Sequence, residues 1–257
     1  MGKPRKVQQP KGWAFTFCVA IVEPLVLLLT KRRWVDGEKV PATGGVVIAS
    51  NHVSHLDPFT FAHFLYAHGR MVRFLAKAAV FKIPVVGAII RSAGQIPVYR
   101  LTNDASQAFS AAVEAVENGE CVVVYPEGTI TREPAMWPMT GKTGAARIAL
   151  TAGVPVVPVA QWGPNLILAP YARRFHLFPR KTMSVKAGDP VDLDDLRDQP
   201  LTPEVLRQAT DRIMDAVTRL LEDLRGETAP AQRFDSRSAG VREIGNPNTR
   251  EKKRGHR

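Results

Sequence analysis

The segment Gly44–Gly69, "GGVVIASNHVSHLDPFTFAHFLYAHG", decides how the rest of the chain is read. Its first part, "GGVVIAS" (Gly44–Ser50), is a short β-branched run of the kind that forms a strand. Its last part opens on Asp57 and Pro58, the order of a helix N-cap followed by proline in the first turn, and closes on Gly69, so a helix is predicted there. Between them "NHVSHLD" places His52 just past a strand end and Asp57 at the mouth of the next helix. Strand, polar loop and helix in that order predict an α/β layer with its polar loops gathered at one sheet edge.

The alternation continues downstream. "CVVVY" (Cys121–Tyr125), "VPVVPVAQW" (Val154–Trp162) and "KTMSVKAG" (Lys181–Gly188) predict strands, while Asp104–Asn118 and "GKTGAARIALTAG" (Gly141–Gly153) predict helices. The helix expected over Thr202–Arg225 has a cap, Thr202, then Pro203 and Glu204, and Val205, Ala209, Ile213, Val217, Leu220 and Leu224 along one face. Arg73–Arg100 is apolar almost throughout, but Pro84, Gly87 and Gly94 break it too often for one helix. The expected fold is a single α/β domain, its sheet mixed or mostly parallel and flanked by helices.

With 257 residues the chain can bury a core unaided, and its two cysteines, Cys18 and Cys121, sit in apolar runs. That usage fits a reducing compartment and argues against a disulfide framework or a structural zinc site. Of the net charge of +11, Lys3, Arg5, Lys6 and Lys11 give +4 to residues 1–12, and eight Lys or Arg against four acids give +4 to residues 226–257. Basic ends suit an anionic surface, lipid or nucleic acid, or serve solubility alone.

Trp13–Thr30, "WAFTFCVAIVEPLVLLLT", would extend about 27 Å as a helix, just under a hydrocarbon core of about 30 Å. Glu23 and Pro24 in its middle favour a bent, re-entrant or interfacial pair of short helices over a straight span. Lys11, Lys31, Arg32, Arg33, Trp13 and Trp34 are residue types that sit at headgroup level. No small-residue cleavage site follows at "TKRRW", so a cleaved signal peptide is not expected. The expected division is a basic arm at 1–12, an apolar membrane-attaching helical segment at 13–34, the main domain at 35–226 and a disordered basic tail at 227–257.

Three chemistries compete for the loop. His52, His55 and Asp57 resemble metal ligands, yet a catalytic metal demands a further His or Glu on a neighbouring strand end, and His63, His68, His176 and His256 are not well placed. Ser54 as nucleophile lacks the G-x-S-x-G elbow, and a hydroxyl at that position serves equally to hydrogen-bond the turn. His52 as general base with Asp57 as its orienting carboxylate is the third.

Four ordered blocks bear on this choice. "NHVSHLD" resembles the N-H-x-S-x-x-D signature of the glycerolipid acyltransferases, the family of 1-acyl-glycerol-3-phosphate acyltransferases. "GQIPVYR" (Gly94–Arg100), "VVYPEGTITR" (Val123–Arg132) and "GVPVVPVA" (Gly153–Ala160) resemble that family's second, third and fourth blocks, with Tyr125 for Phe and Ile130-Thr131 inserted before Arg132. The resemblance, over Pro41–Trp162, implies His52 and Asp57 as the catalytic pair. It further implies that Lys77, Arg100, Glu127, Gly128 and Thr129 bind substrate: cations gripping the acceptor phosphate, the glycine opening backbone amides to an anion, the Glu127 carboxylate orienting a lysine or the glycerol. The implied reaction moves an acyl group from acyl-CoA or acyl carrier protein to lysophosphatidic acid, or to another lysophospholipid, glycerol 3-phosphate or a glycolipid. The acceptor's own hydroxyl attacks, so no acyl-enzyme, metal or cofactor is required. The expected location is the cytoplasmic face of the cell membrane, with the bilayer as partner and no nucleic acid. A metal hydrolase and a non-enzymatic membrane-binding module are the rivals.

Overall fold

The computed structural model describes residues 5, 7, 12–98, 105–242 and 246. Helix α1 (Trp13–Leu29) leads directly into β1 (Thr30–Val35), followed by β2 (Val46–Ser50), α2 (Asp57–Ala67) and β3 (Val72–Lys77). Next come α3 (Val86–Ser92), β4 (Ile96–Val98), α4 (Ala105–Glu117), β5 (Cys121–Val124), α5 (Gly144–Ala152) and β6 (Val156–Trp162). Single-turn helices α6 (Pro164–Ile167) and α7 (Asp194–Arg197) flank β7 (Lys181–Ala187), and α8 (Pro203–Arg225) is the longest helix described.

The strands make one seven-stranded sheet in the order β1-β7-β6-β2-β5-β3-β4. Strands β6, β2, β5, β3 and β4 run parallel, whereas β7 pairs antiparallel with β6, and β1 pairs parallel with β7. This is the expected α/β domain with a mixed, mostly parallel sheet. Side chains alternate across it. Val47, Ala49, Val122 and Val124 face a core closed by α4, α5 and α8, while Val46, Ile48, Cys121 and Val123 face Phe61, Phe64 and Leu65 of α2. All of β2 is buried, which is why it is a continuous apolar run.

The expected helices and strands fall where the patterns put them, with three corrections. First, the apolar segment is one helix running through Pro24, not a pair of short ones. Second, Thr30–Val35 is a strand rather than the end of that segment: Lys31, Arg32 and Arg33 are exposed on a sheet edge, where charge opposes edge-to-edge pairing, so a run that resembled a headgroup flank belongs to the sheet. Glu23 turns toward α2, its Oε1 3.7 Å from His63 Nε2. Third, residues 227–242 of the expected disordered tail are folded onto the body. The Ala229 amide donates to Glu222 Oε1 at 2.8 Å, Arg233 pairs with Asp211 and Asp215, and the Thr140 amide donates to the Phe234 carbonyl at 3.0 Å. The predicted start of α4 at Asp104 and most of the basic arm lie outside the described residues.

Helix α8 starts as its sequence dictates, the Thr202 hydroxyl accepting from the Val205 amide, and ends at Gly226 in the left-handed region, φ 66°. Just before that end, Arg225 lies between two indoles, its Cζ 4.0 Å from the Trp137 ring centroid and 4.4 Å from that of Trp162, and donates to the Ala135 carbonyl at 2.8 Å. A guanidinium in this sandwich joins α8 to β6 and to the loop after β5. Replacing it removes two cation–π contacts and a charged hydrogen bond, so Arg225→Ala should lose about 2–4 kcal/mol of stability, with Arg225→Lys recovering only part. Urea denaturation of the two variants beside the native protein tests this, and an unchanged midpoint for Arg225→Ala would refute it.

Candidate active site

Strand β2 ends at Ser50 beside the ends of β5 and β6, because Val47–Ser50 pair with Val156–Val159 and Val46–Ala49 with Cys121–Val124. The loops leaving these three central strands therefore meet at one edge, the place where parallel α/β sheets collect functional groups. Asn51 locks the first to the third. Its Oδ1 accepts from the Gln161 amide at 2.9 Å, its Nδ2 donates to the Gln161 carbonyl at 3.0 Å, and Gln161 Nε2 returns a bond to the Asn51 carbonyl at 3.1 Å.

One residue on, His52 Nδ1 lies 2.8 Å from Asp57 Oδ2. That oxygen also accepts from the Val53 amide at 2.6 Å and the Ser54 amide at 3.0 Å. An atom already receiving two N–H groups is an acceptor, so Nδ1 carries the hydrogen and Nε2 is left as the basic nitrogen. The imidazole stacks on Tyr125, centroids 4.2 Å apart and planes 16° apart, and its side chain is 18% exposed, enough for one edge to meet a substrate. Burial, with Asp57 nearby, holds the Tyr125 hydroxyl well above the usual phenol range, so the stacking partner stays neutral.

The expected catalytic pair is thus brought together, though Asp57 is not the helix cap that its position before Pro58 suggested. No side chain caps α2; Leu56 is its N-cap residue, and the Asp57 carboxylate organises the preceding loop instead. Ser54 is fully buried, with its hydroxyl donating to the Leu168 carbonyl at 2.7 Å and accepting from the Leu56 amide at 3.2 Å, a structural role that leaves no nucleophile. His55 is exposed on the turn. Among the described residues no three His, Cys, Asp or Glu side chains converge as metal ligands.

The "PEGT" turn follows β5. Glu127 points inward, contrary to the expectation that its carboxylate reaches substrate: Oε1 accepts from the His52 amide at 2.9 Å and Oε2 from the Met139 amide at 3.1 Å. Burial pushes its carboxyl up to about 8 against the opposing pull of those two amides. The Thr131 amide donates to the His52 carbonyl at 2.7 Å, so this loop grips the main chain of His52 from both sides. Gly128 adopts φ 69°, and its amide closes the turn on the Tyr125 carbonyl at 2.9 Å rather than pointing at an anion. A Cβ at Gly128 would stand 3.2 Å from Cδ of Lys142, a cation that reasoning from sequence passed over as part of a helix start. Thr129 Oγ1 lies 3.2 Å from the hydroxyl of Tyr171, which itself donates to the Ile130 carbonyl at 2.7 Å. Tyr171 was also missed, since nothing local marks a residue arriving from the loop after β6. Lys77 is exposed at the end of β3, two strands from His52, and Arg100 lies outside the described residues.

A family model described as Acyltransferase matches residues 32–162. Over 186 residues the chain is 26% identical to the 1-acyl-sn-glycerol-3-phosphate acyltransferase of Bacillus subtilis (strain 168), covering 72% of this chain and 86% of that protein. It is 34% identical over 123 residues to the chloroplastic 1-acyl-sn-glycerol-3-phosphate acyltransferase BAT2 of Brassica napus, 48% of this chain but only 34% of that longer protein. The crystal structure of the 1-acyl-sn-glycerophosphate (LPA) acyltransferase PlsC from Thermotoga maritima superposes with a TM-score of 0.64 at 25% identity, covering 84% of this chain and 81% of the other. With the family model spanning half of its length, strands β2 to β6 and the His52–Asp57 loop included, the chain belongs to the acyltransferase family.

Proposed function

We propose that the protein transfers a fatty acyl group from a thioester, acyl-CoA or acyl carrier protein, to the free hydroxyl of lysophosphatidic acid, giving phosphatidic acid for phospholipid synthesis. The observation that carries this reading is the His52 imidazole, held through Nδ1 by a buried carboxylate, with Nε2 left for a substrate hydroxyl. The names of the relatives supply the acceptor.

In this mechanism His52 Nε2 takes the proton of the acceptor hydroxyl as its oxygen attacks the thioester carbonyl. The carbon–sulfur bond then breaks, and the departing thiolate receives that proton from the imidazolium, returning His52 to its starting state. Asp57 fixes the tautomer and stabilises the imidazolium between the two steps. No acyl-enzyme forms, and no metal or cofactor takes part. Glu127 acts on the reaction only through the main chain of His52, which it anchors. Lys77, Arg100 and Thr129 are proposed for the acceptor phosphate and glycerol, with Arg100 resting on its motif alone, while Gly128 shapes the turn.

We further propose attachment to the cytoplasmic face of the membrane through α1. Trp13, Phe17, Ile21, Leu25 and Leu28, at helical spacing, form an exposed apolar stripe. No helix among the described residues is long and apolar enough to cross a bilayer.

Purified protein given each thioester donor with a panel of lysolipids and glycerol 3-phosphate should acylate lysophosphatidic acid best. Transfer to other acceptors but not to this one would overturn the substrate assignment. His52→Ala should lower kcat about 10²–10⁴-fold, the usual worth of a positioned base. Asp57→Asn keeps an oxygen for the Val53 and Ser54 amides but loses the charge facing the imidazolium. It should fall by a similar factor while folding normally, and native activity in it would remove Asp57 from the mechanism.

Glu127 makes stability depend on pH. Its carboxyl is raised from the ordinary value to about 8, so the folded chain holds that proton more tightly than the unfolded chain. Its contribution is therefore greatest below about pH 4.5 and declines as pH rises toward about 8. Glu127→Gln, which places an NH2 against a backbone N–H, should be less stable throughout but show a flatter profile across that window. Parallel slopes in urea titrations of the two proteins would contradict this.

A further inference from the structure

Every exposed large hydrophobic side chain among the described residues, except Leu201, belongs either to α1 or to a connection at the edge of the sheet where His52 lies. Phe59 follows β2; Val80, Ile83, Val85 and Val86 follow β3; Leu166, Phe175 and Phe178 follow β6. Topology brings α1 to the same edge. Strands β7 and β1 run opposite to β6 and β2, so they begin where those strands end, and α1 finishes at the first residue of β1.

The connection from β6 to β7 is the least explained of these. Phe178 is 77% exposed, the highest value among the large hydrophobics, and Phe175 is 55% exposed. Arg173 and Arg174, immediately before them, are exposed as well. Isolated surface phenylalanines are ordinary, but this loop is held at both ends. At the site end the Leu168 carbonyl accepts from Ser54, and Tyr171 bonds the Ile130 carbonyl beside Thr129. At the other end the Arg180 guanidinium donates to the Leu27 and Thr30 carbonyls, each at 2.6 Å, tying the loop to the last turn of α1 and its exposed Leu28. In the middle, the His176 amide bonds the Ile167 carbonyl at 2.8 Å. The result is an anchored loop whose free segment presents two phenylalanines and two arginines.

We propose that residues 169–180 form a second membrane contact, one that an anionic bilayer strengthens. Phe175 and Phe178 enter the acyl boundary while Arg173 and Arg174 meet lipid phosphates, the division of labour that interfacial segments use. With α1 alone the molecule can roll about the helix axis. A second contact, on the loop whose Tyr171 meets Thr129, fixes which way the site faces. The inference rests on the attachment through α1 proposed above, and its test separates the two.

Sedimentation with vesicles of phosphatidylcholine, with and without phosphatidylglycerol, compares the native chain with three variants. Arg173→Gln/Arg174→Gln should bind the anionic vesicles about 30-fold more weakly and the neutral vesicles as before, at about 5-fold for each positive charge lost. Phe175→Ser/Phe178→Ser should bind both more weakly, by about 10-fold or more. Ile21→Ser/Leu25→Ser should weaken both through α1. If the α1 variant is impaired while both loop variants bind like the native chain, the loop proposal is wrong and the attachment through α1 stands. A native chain that binds neither vesicle ends both.

Discussion

The site depends on one oxygen atom. Asp57 Oδ2 receives His52 Nδ1 and the amides of Val53 and Ser54, all within 3.0 Å, on a side chain with no exposure to solvent. A buried carboxylate is costly unless such donors replace the water it has lost. Here the groups that meet this cost at Oδ2 are the His52 imidazole and the turn that carries it, so stabilising the loop and orienting the ring are a single event. A spacing of five residues allows it: His52 stands before the turn and Asp57 after it, and the chain between them folds its own amides onto the carboxylate.

A second acid holds the same histidine from behind. Glu127 bonds the His52 amide with one oxygen and the Met139 amide with the other, and the Thr131 amide grips the His52 carbonyl. The two carboxyl groups divide the work according to their surroundings: Asp57 meets the ring and Glu127 the backbone, with its carboxyl driven upward by burial and further by Asp57. Sheet order makes the pairing possible, since β2 and β5 are neighbours and deliver the two loops side by side. Beyond Met139 the support continues outward, for Thr140 bonds Phe234 and the adjacent Arg233 is clasped by Asp211 and Asp215 of α8.

Much of this was legible in the residues. The β-branched runs around Ile48, Val123 and Val157 predicted buried strands because both their faces are covered, and the cap and stripe of α8 predicted a helix because one face is. His52 and Asp57 were legible because their partnership is local. What escaped was long-range. Glu127 resembled a substrate ligand because a sequence cannot say which way a side chain turns, and its partners lie 75 and 12 residues away. Tyr171 and Lys142 reach the turn from separate elements. The strand in "TKRRWV" is hidden because an exposed edge strand carries the same charges as a membrane flank, and the fold of residues 227–242 because a chain bound by a few ion pairs and backbone bonds shows no periodicity.

A base able to activate a lipid hydroxyl can activate water as well, and a thioester is open to both. On the proposed reading, selectivity must come from what surrounds His52 when substrate is bound, and the ring already has one face on Tyr125, leaving its edge to the loops around it. Those loops carry Phe59, Val80, Ile83, Phe175 and Phe178, side chains that favour lipid over water. Reversal of β7 and β1 adds the end of α1 to the same edge. Had β1 and β7 run with the other five strands, α1 would leave from the opposite edge and hold the site away from any surface it bound. The two strands that run against the other five therefore set the edge from which α1 leaves, and on the proposed reading that is the side on which the chemistry meets its lipid.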